Sequence, residues 1–307
     1  MRLILRDNGS ATLLTMLMAA VIITVGIGFN WLVKEHIKAS EGLKNKAEAI
    51  LRARSAYDTI VSLALNGRMF QSEIVSAMGN EISELKTLPL DGKKVLLSDD
   101  IYVQAQDSNG MLSLVSLNTA AMERLIKKVG VMDNASGIIN SYLDWISTNN
   151  FARVNGAKEF YYRGQGLPYV QRNYAIQYKD EFELVKGMDK ELYGKLGPYL
   201  TLLPSTGFNP NTASDEVLMA YLDINEDSLK VLRDYMSKKA VSSDMELFAL
   251  TGRRIASVEE GVYYYPSHFI EITVSVGKPR NMYTIRAGLD IRQNVRSPCG
   301  VLYWKEE

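Results

Sequence analysis

Residues 11–33 form an unbroken run without Asp, Glu, Lys, Arg or His. At ~1.5 Å per residue a helix of this length reaches about 34 Å, enough for the ~30 Å hydrocarbon core of a bilayer. A cleaved secretory signal has an apolar stretch of about 7–15 residues and then a small-residue cleavage site. Here the run is longer and ends in Trp31, Leu32 and Val33, so the pattern predicts a membrane-spanning helix. From Lys34 to Asn66 there is no proline and one glycine, Gly42. Ala47, Ile50, Leu51, Tyr57, Val61, Ala64 and Leu65 recur at spacings of three and four, on one helical face, with Lys44, Glu48, Arg52 and Asp58 off it. The spacing predicts one rod of roughly 85 Å over residues 10–66, its second half an amphipathic stem, with a stop at Asn66 and Gly67.

Past Gly67 the period changes. A bridging stretch to Leu88 leads to the turn signal Pro89, Leu90, Asp91, Gly92, and alternation predicts strands over 95–97 and 101–106. Asp107, Ser108, Asn109 and Gly110 then read as a tight hairpin turn before a strand over 111–115. Residues 117–265 return to helical spacing with caps and short loops, and alternation resumes over 269–276, 282–291 and 300–304. The predicted class is α+β: a long N-terminal helix and an antiparallel sheet interrupted by a large all-helical insertion.

The 307 residues are 47% hydrophobic, with 35 basic side chains against 35 acidic ones. Zero net charge gives no global field for gathering nucleic acid or anionic lipid. Cys299 is the single cysteine, which excludes an intrachain disulfide, a Cys-rich zinc module and a C-x-x-C redox pair. Two histidines, His36 and His268, are too few for most histidine-built centres. Gly187 and Gly194-Lys195 have the wrong spacing for a phosphate loop, and there is no G-x-S-x-G or H-E-x-x-H. These absences point away from an enzyme. Asp223, Asn225, Asp227 and Asp234 mimic an EF-hand spacing, but Ser228 stands where the turn glycine belongs, so a capped helix start is the better reading. Arg2 and Arg6 before the span are matched by Lys34, Lys38, Lys44 and Lys46 after it, and the charge rule chooses no orientation.

A short leader ending in Gly9, followed by an apolar run that grows into an amphipathic stem, resembles the type IV pilin family and its secretion-system relatives, the pseudopilins. The resemblance implies that a prepilin peptidase cuts after Gly9 and that the mature chain begins at Ser10. The fifth mature position, usually glutamate in the family, is Leu14 here. A lone charge at that depth costs ~2.5–3.5 kcal/mol on insertion scales, and the substitution resembles the K-type minor pseudopilin of type II secretion, a tip subunit. Three further stretches carry that likeness. The first runs from Asp107 to Leu114; the second holds Asp144-Trp145, then Gly156, Ala157, Lys158, Glu159, then Leu167, Pro168, Tyr169 and Asn173. The third links Glu183, Leu184 and Gly187 to Asn209, Pro210, Asn211, Thr212 and Ala213.

The resemblance divides the chain into a leader (1–9), a transmembrane helix (10–33), a stem (34–67), a first part of the pseudopilin sheet (68–116), a helical insertion (117–265) and a second part of the sheet (266–307). It implies a single-pass protein of the bacterial inner membrane with its C-terminal domain in the periplasm. It also implies initiation or capping of the pseudopilus, with I- and J-type minor pseudopilins and prepilin peptidase as partners. A type IV pilus tip subunit is the near alternative. A membrane-anchored helix-hairpin-helix DNA receptor is a distant one, because the hairpin after Val217 has no glycine and carries Asp223, Glu226 and Asp227, which oppose phosphate. K-type relatives hold calcium in the acidic loop after Asp-Trp; the corresponding oxygens here would come from Asp144, Asn149 and Glu159. Calcium takes six to eight hard oxygen ligands, and Ser147 and Lys158 deplete the loop of charge.

Overall fold

The computed structural model describes residues 10–77, 85–130, 133–253, 261–278, 282–292 and 297–307. Helix α1 (Ser10–Asn66) opens the chain, which divides into two compact units, residues 1–52 and 53–307. In the first unit the apolar side chains of α1 have nothing to bury them. Leu13, Leu14, Met16, Ile22, Phe29 and Trp31 are each between 56% and 77% exposed. A surface this apolar and continuous belongs in lipid or against other apolar helices.

The second unit begins with the last turns of α1. Ala53, Ala56, Tyr57, Ile60, Leu63 and Ala64 are buried, at the three-and-four spacing of an amphipathic face. The predicted stripe meets this face at Tyr57 and Ala64 only: Ile50, Val61 and Leu65 are half-buried, Ala47 and Leu51 are exposed, and Ala53, Ala56, Ile60 and Leu63 lie outside the stripe. Tyr57 meets Trp304 edge-on at 4.8 Å between ring centres. The helix stops where Gly67 donates its N–H to Leu63 O at 2.8 Å. Three short strands follow, β1 (Arg68–Met69), β2 (Glu73–Val75) and β3 (Thr87–Pro89), in a small antiparallel sheet where the sequence pattern suggested only a bridge.

The main sheet starts with β4 (Val95–Ser98) and β5 (Ile101–Asp107). The chain then leaves it through β6 (Leu112–Ser113), α2 (Thr119–Lys128), α3 (Ala135–Ile146), α4 (Glu159–Gly164), α5 (Lys190–Leu196), β7 (Leu200–Thr201), α6 (Asp215–Leu222), α7 (Glu226–Met236) and α8 (Asp244–Thr251). It re-enters as β8 (Phe269–Val276), β9 (Tyr283–Asp290) and β10 (Gly300–Glu306). The order is β10-β9-β8-β5-β4, antiparallel throughout. The β5–β8 pair, from Ile101 opposite Val276 to Asp107 opposite Ile270, joins the two halves across the insertion. Strict alternation along β5, with Ile101, Val103 and Ala105 buried, fixes that register, since a slip of one residue would turn its apolar side out.

The hairpin expected at Asp107–Gly110 is not one. A two-residue hairpin turn needs residues at positive φ, and Gly110 does not adopt it. The segment instead forms a 3-10 turn, Ser108–Gly110, with the Asp107 carboxylate accepting Asn109 N–H. The strand beyond it, β6, pairs in parallel with β7 rather than turning back on β5. The insertion packs its own core, in which Trp145, Tyr142, Tyr162, Phe182 and Phe208 are almost wholly buried.

Candidate functional site

Two clusters of buried polar groups anchor the insertion. The first is at the end of β5, where Asp107 is fully buried. Its Oδ1 accepts Ser267 N–H (2.8 Å) and Asn109 N–H (3.2 Å); its Oδ2 accepts Thr212 Oγ1–H (2.9 Å) and Asn209 Nδ2–H (3.1 Å). Burial raises the Asp107 pKa above the ordinary carboxylate value, while the bonds from Ser267, Asn109 and Thr212 pull it down. Gly110 is needed here because a Cβ would lie 2.5 Å from Thr212 O. Asn209 also donates to Gln71 O (3.0 Å), and Asn211 exchanges bonds with Val241, Nδ2 to O and N to Oδ1, both at 2.9 Å. The Asn-x-Asn-Thr stretch thus pins the exit and return of the insertion to each other, with its polar atoms facing inward.

The second cluster lies between α3 and α4. Asp144 is fully buried, with Oδ1 on Arg153 Nη1 at 2.7 Å and Oδ2 on Arg153 N–H at 2.9 Å. Lys158, 6% exposed, directs its ammonium to Asp144 O and Ser147 O, each at 2.7 Å, and to Asn173 Oδ1 at 3.3 Å. Burial lowers the Lys158 pKa, Asp144 opposes that and Arg153 adds to it. Lys186 closes the far side, donating to Asn155 O (3.2 Å) and Gly156 O (3.3 Å) and lying over the Tyr161 ring. Any side chain at Gly156 would run into Asp144 Oδ2.

The three residues expected to offer oxygens to calcium do not come together. Asn149 is exposed, and Glu159 is exposed and paired with Arg163 four residues on. Asp144 remains, and both its oxygens are engaged by Arg153. This donor set does not fit a calcium ion, and among the described residues no group of three or more His, Cys, Asp or Glu could hold a metal. Of the other predicted positions, Ser10 is the first helical residue and Leu14 is 56% exposed on α1. Gly9 lies outside the described residues. The EF-hand-like stretch is a helix start: Asn225 caps α7, its side chain accepting Ser228 N–H at 2.9 Å, and Asp223 ends α6 in the left-handed region.

A cleft of about 730 Å³ separates the sheet from the insertion. Lys179 and Asp180 line it from the insertion, and Glu271, Arg286 and Lys305 from the sheet. Burial lowers the pKa of Lys179, with Glu271 acting against that. Tyr303 donates its hydroxyl to Glu271 at 2.5 Å. The near balance of signs leaves no surplus field for a polyanion.

The split sheet with its helical insertion is what known proteins share with this chain. A family model described as type II secretion system protein K matches residues 103–205, from within β5 through the Asp144–Lys158 loop to just past β7. The type II secretion system protein K of Pectobacterium carotovorum subsp. carotovorum is 23% identical over 241 residues, covering 72% of each chain. That of Aeromonas hydrophila is 23% identical over 267 residues, covering 78% of this chain and 81% of its own. The chain is therefore similar to type II secretion system protein K across its sheet and its insertion. A chain from the crystal structure of the GspK-GspI-GspJ complex of enterotoxigenic Escherichia coli has the same fold, with a TM-score of 0.54 at 16% identity over 90% of this chain and 99% of that one.

Sequence reasoning overlooked the residues that matter most to the insertion's geometry. Asp107 passed as a turn residue, and Lys158 as a lost acid. A local signal for Lys158 existed. It occupies the N-cap position of α4 with no side-chain cap bond, where Ser, Thr, Asp and Asn are favoured and a cation meets the positive end of the helix dipole. Ser267, far away in sequence, gave no such signal.

Proposed function

We propose that this chain is a minor pseudopilin of a type II secretion system, acting without catalysis to start and cap the pseudopilus. In this reading prepilin peptidase cuts between Gly9 and Ser10, residues 10–33 anchor the chain in the inner membrane, and the domain from Ala53 onward stands in the periplasm. The carrying observation is the insertion of a separately packed helical domain between β5 and β8, the paired central strands of the sheet. A subunit that repeats along a shaft must leave complementary docking surfaces open both above and below it; one with this added bulk suits an end. Leu14 fits the same role, since a subunit with no neighbour above it loses nothing by lacking a charge at that depth. The I- and J-type minor pseudopilins are its partners in this account, as GspI and GspJ share a complex with GspK in enterotoxigenic Escherichia coli.

The test is to label the full chain, isolate assembled pseudopili and image them. One label at an end, with mass spectrometry placing the mature N-terminus at Ser10, is the expected result. Labels repeated along the shaft, or an intact Met1 in the assembled protein, would contradict it.

A further inference from the structure

We propose that Lys158 is the resident cation of the insertion, holding closed with its own ammonium a loop that would otherwise need a bound divalent ion, so that this chain folds independently of calcium. The geometry is that of a small cation site. An ammonium has three N–H donors and no acceptor, and the three oxygens it meets come from two places: the C-terminal end of α3 (Asp144 O and Ser147 O) and a distant loop (Asn173 Oδ1). Asn173 is held at φ +58°, and its N–H donates to Trp145 O at 2.8 Å, which aims it at the site. Carbonyl oxygens turned toward one another repel unless something positive lies among them, and burial excludes the water that might otherwise serve.

The charges around the site settle which cation it accepts. Arg153 and Lys186 hold the same loop through Asp144 Oδ1, Asn155 O and Gly156 O. Three cationic side chains thus face one buried carboxylate, since Glu159 turns to Arg163 and Asp144 is taken by Arg153. A doubly charged ion entering this cluster would meet net repulsion within a few ångströms, in surroundings where Coulomb terms are stronger than in water. Gly156 completes the arrangement by letting the backbone close over Asp144 where any side chain would collide.

The test uses the full chain in detergent, with thermal unfolding followed by tryptophan fluorescence, to which the buried Trp145 contributes beside the loop. The wild-type midpoint should be the same with excess calcium chloride and with excess chelator. Lys158→Met, which keeps the stem and removes the charge, should lower the midpoint by roughly 5–10 °C. Lys158→Glu, which places a carboxylate among the same oxygens, should unfold earlier still and regain several degrees on addition of calcium. A wild-type midpoint that drops on chelation and recovers with calcium overturns the proposal. So does a Lys158→Met protein that melts with the wild type.

Discussion

Asp107 and Asp144 are both fully buried, yet the molecule treats them in opposite ways. Asp107 has only neutral donors, two backbone N–H groups, an amide and a hydroxyl, gathered from segments about a hundred or more residues away as well as from its own turn. Asp144 has a full guanidinium charge nine residues on and an ammonium on its own carbonyl. The neutral arrangement joins the sheet to the insertion, where several chain segments meet and each supplies one bond. The charged arrangement closes a local loop, where few donors are in reach and each must count for more. Buried carboxylates are therefore not equivalent stabilisers: the first depends on the whole fold, the second on a short loop and one exposed arginine.

The largest expected effect tests that contrast directly. Asp107→Ala leaves the buried N–H groups of Ser267 and Asn109 without an acceptor and takes one each from Thr212 and Asn209, and at ~1–3 kcal/mol for an unmet buried group it should cost about 4 kcal/mol or more. Asp144→Ala should cost less, about 3 kcal/mol, because Arg153 is 39% exposed and can turn to water. Thermal midpoints of the two variants measured side by side decide the order; the reverse order would remove the contrast. Next comes Gly110→Ala. Its Cβ would press on Thr212 O and Oγ1 at 2.5 and 2.6 Å, and a loss of about 2–3 kcal/mol is expected. Gly164→Ala, in open space at the end of α4, serves as the control and should be neutral or gain up to about 1 kcal/mol.

The smallest effect concerns an acid at the surface. Glu246 is held down to about 2 by Lys239 and by the N–H and hydroxyl of Ser242, at 2.8–2.9 Å. A carboxylate depressed in the fold adds stability above its ordinary value, and that stability is lost as pH falls through the depressed one. The midpoint difference between wild type and Glu246→Gln should therefore hold from neutral pH through about 4.5 and close as pH approaches 2. A difference that closes well above pH 4.5 would show that the Lys239–Ser242–Glu246 contacts do not persist in solution.

Much of the fold was legible because its signals are local. The uncharged run of residues 11–33, the alternation along β5, β8 and β9, and the capped helix start at Asn225 all act within a few neighbours. The misreadings occur where local and distant demands compete. Asp-Ser-Asn-Gly has hairpin composition, but Asp107 and Gly110 answer to Thr212 and Ser267, so the chain turns out of the sheet. The loop after Asp144-Trp145 looked like a calcium loop short of acids. Its missing charge had been replaced by one of opposite sign, at a helix start where lysine is locally unfavourable.

By itself the sequence determined that a membrane-length helix comes first and that a sheet is divided by helices, because side-chain period is set by residues three or four apart. Only the tertiary structure decided that β6 joins β7, that Asp107 is met by Thr212 and Ser267, and that Lys158 joins the end of α3 to the Asn173 loop. Buried polar groups must be satisfied wherever the fold brings their partners, and no spacing along the chain encodes a partner a hundred residues away.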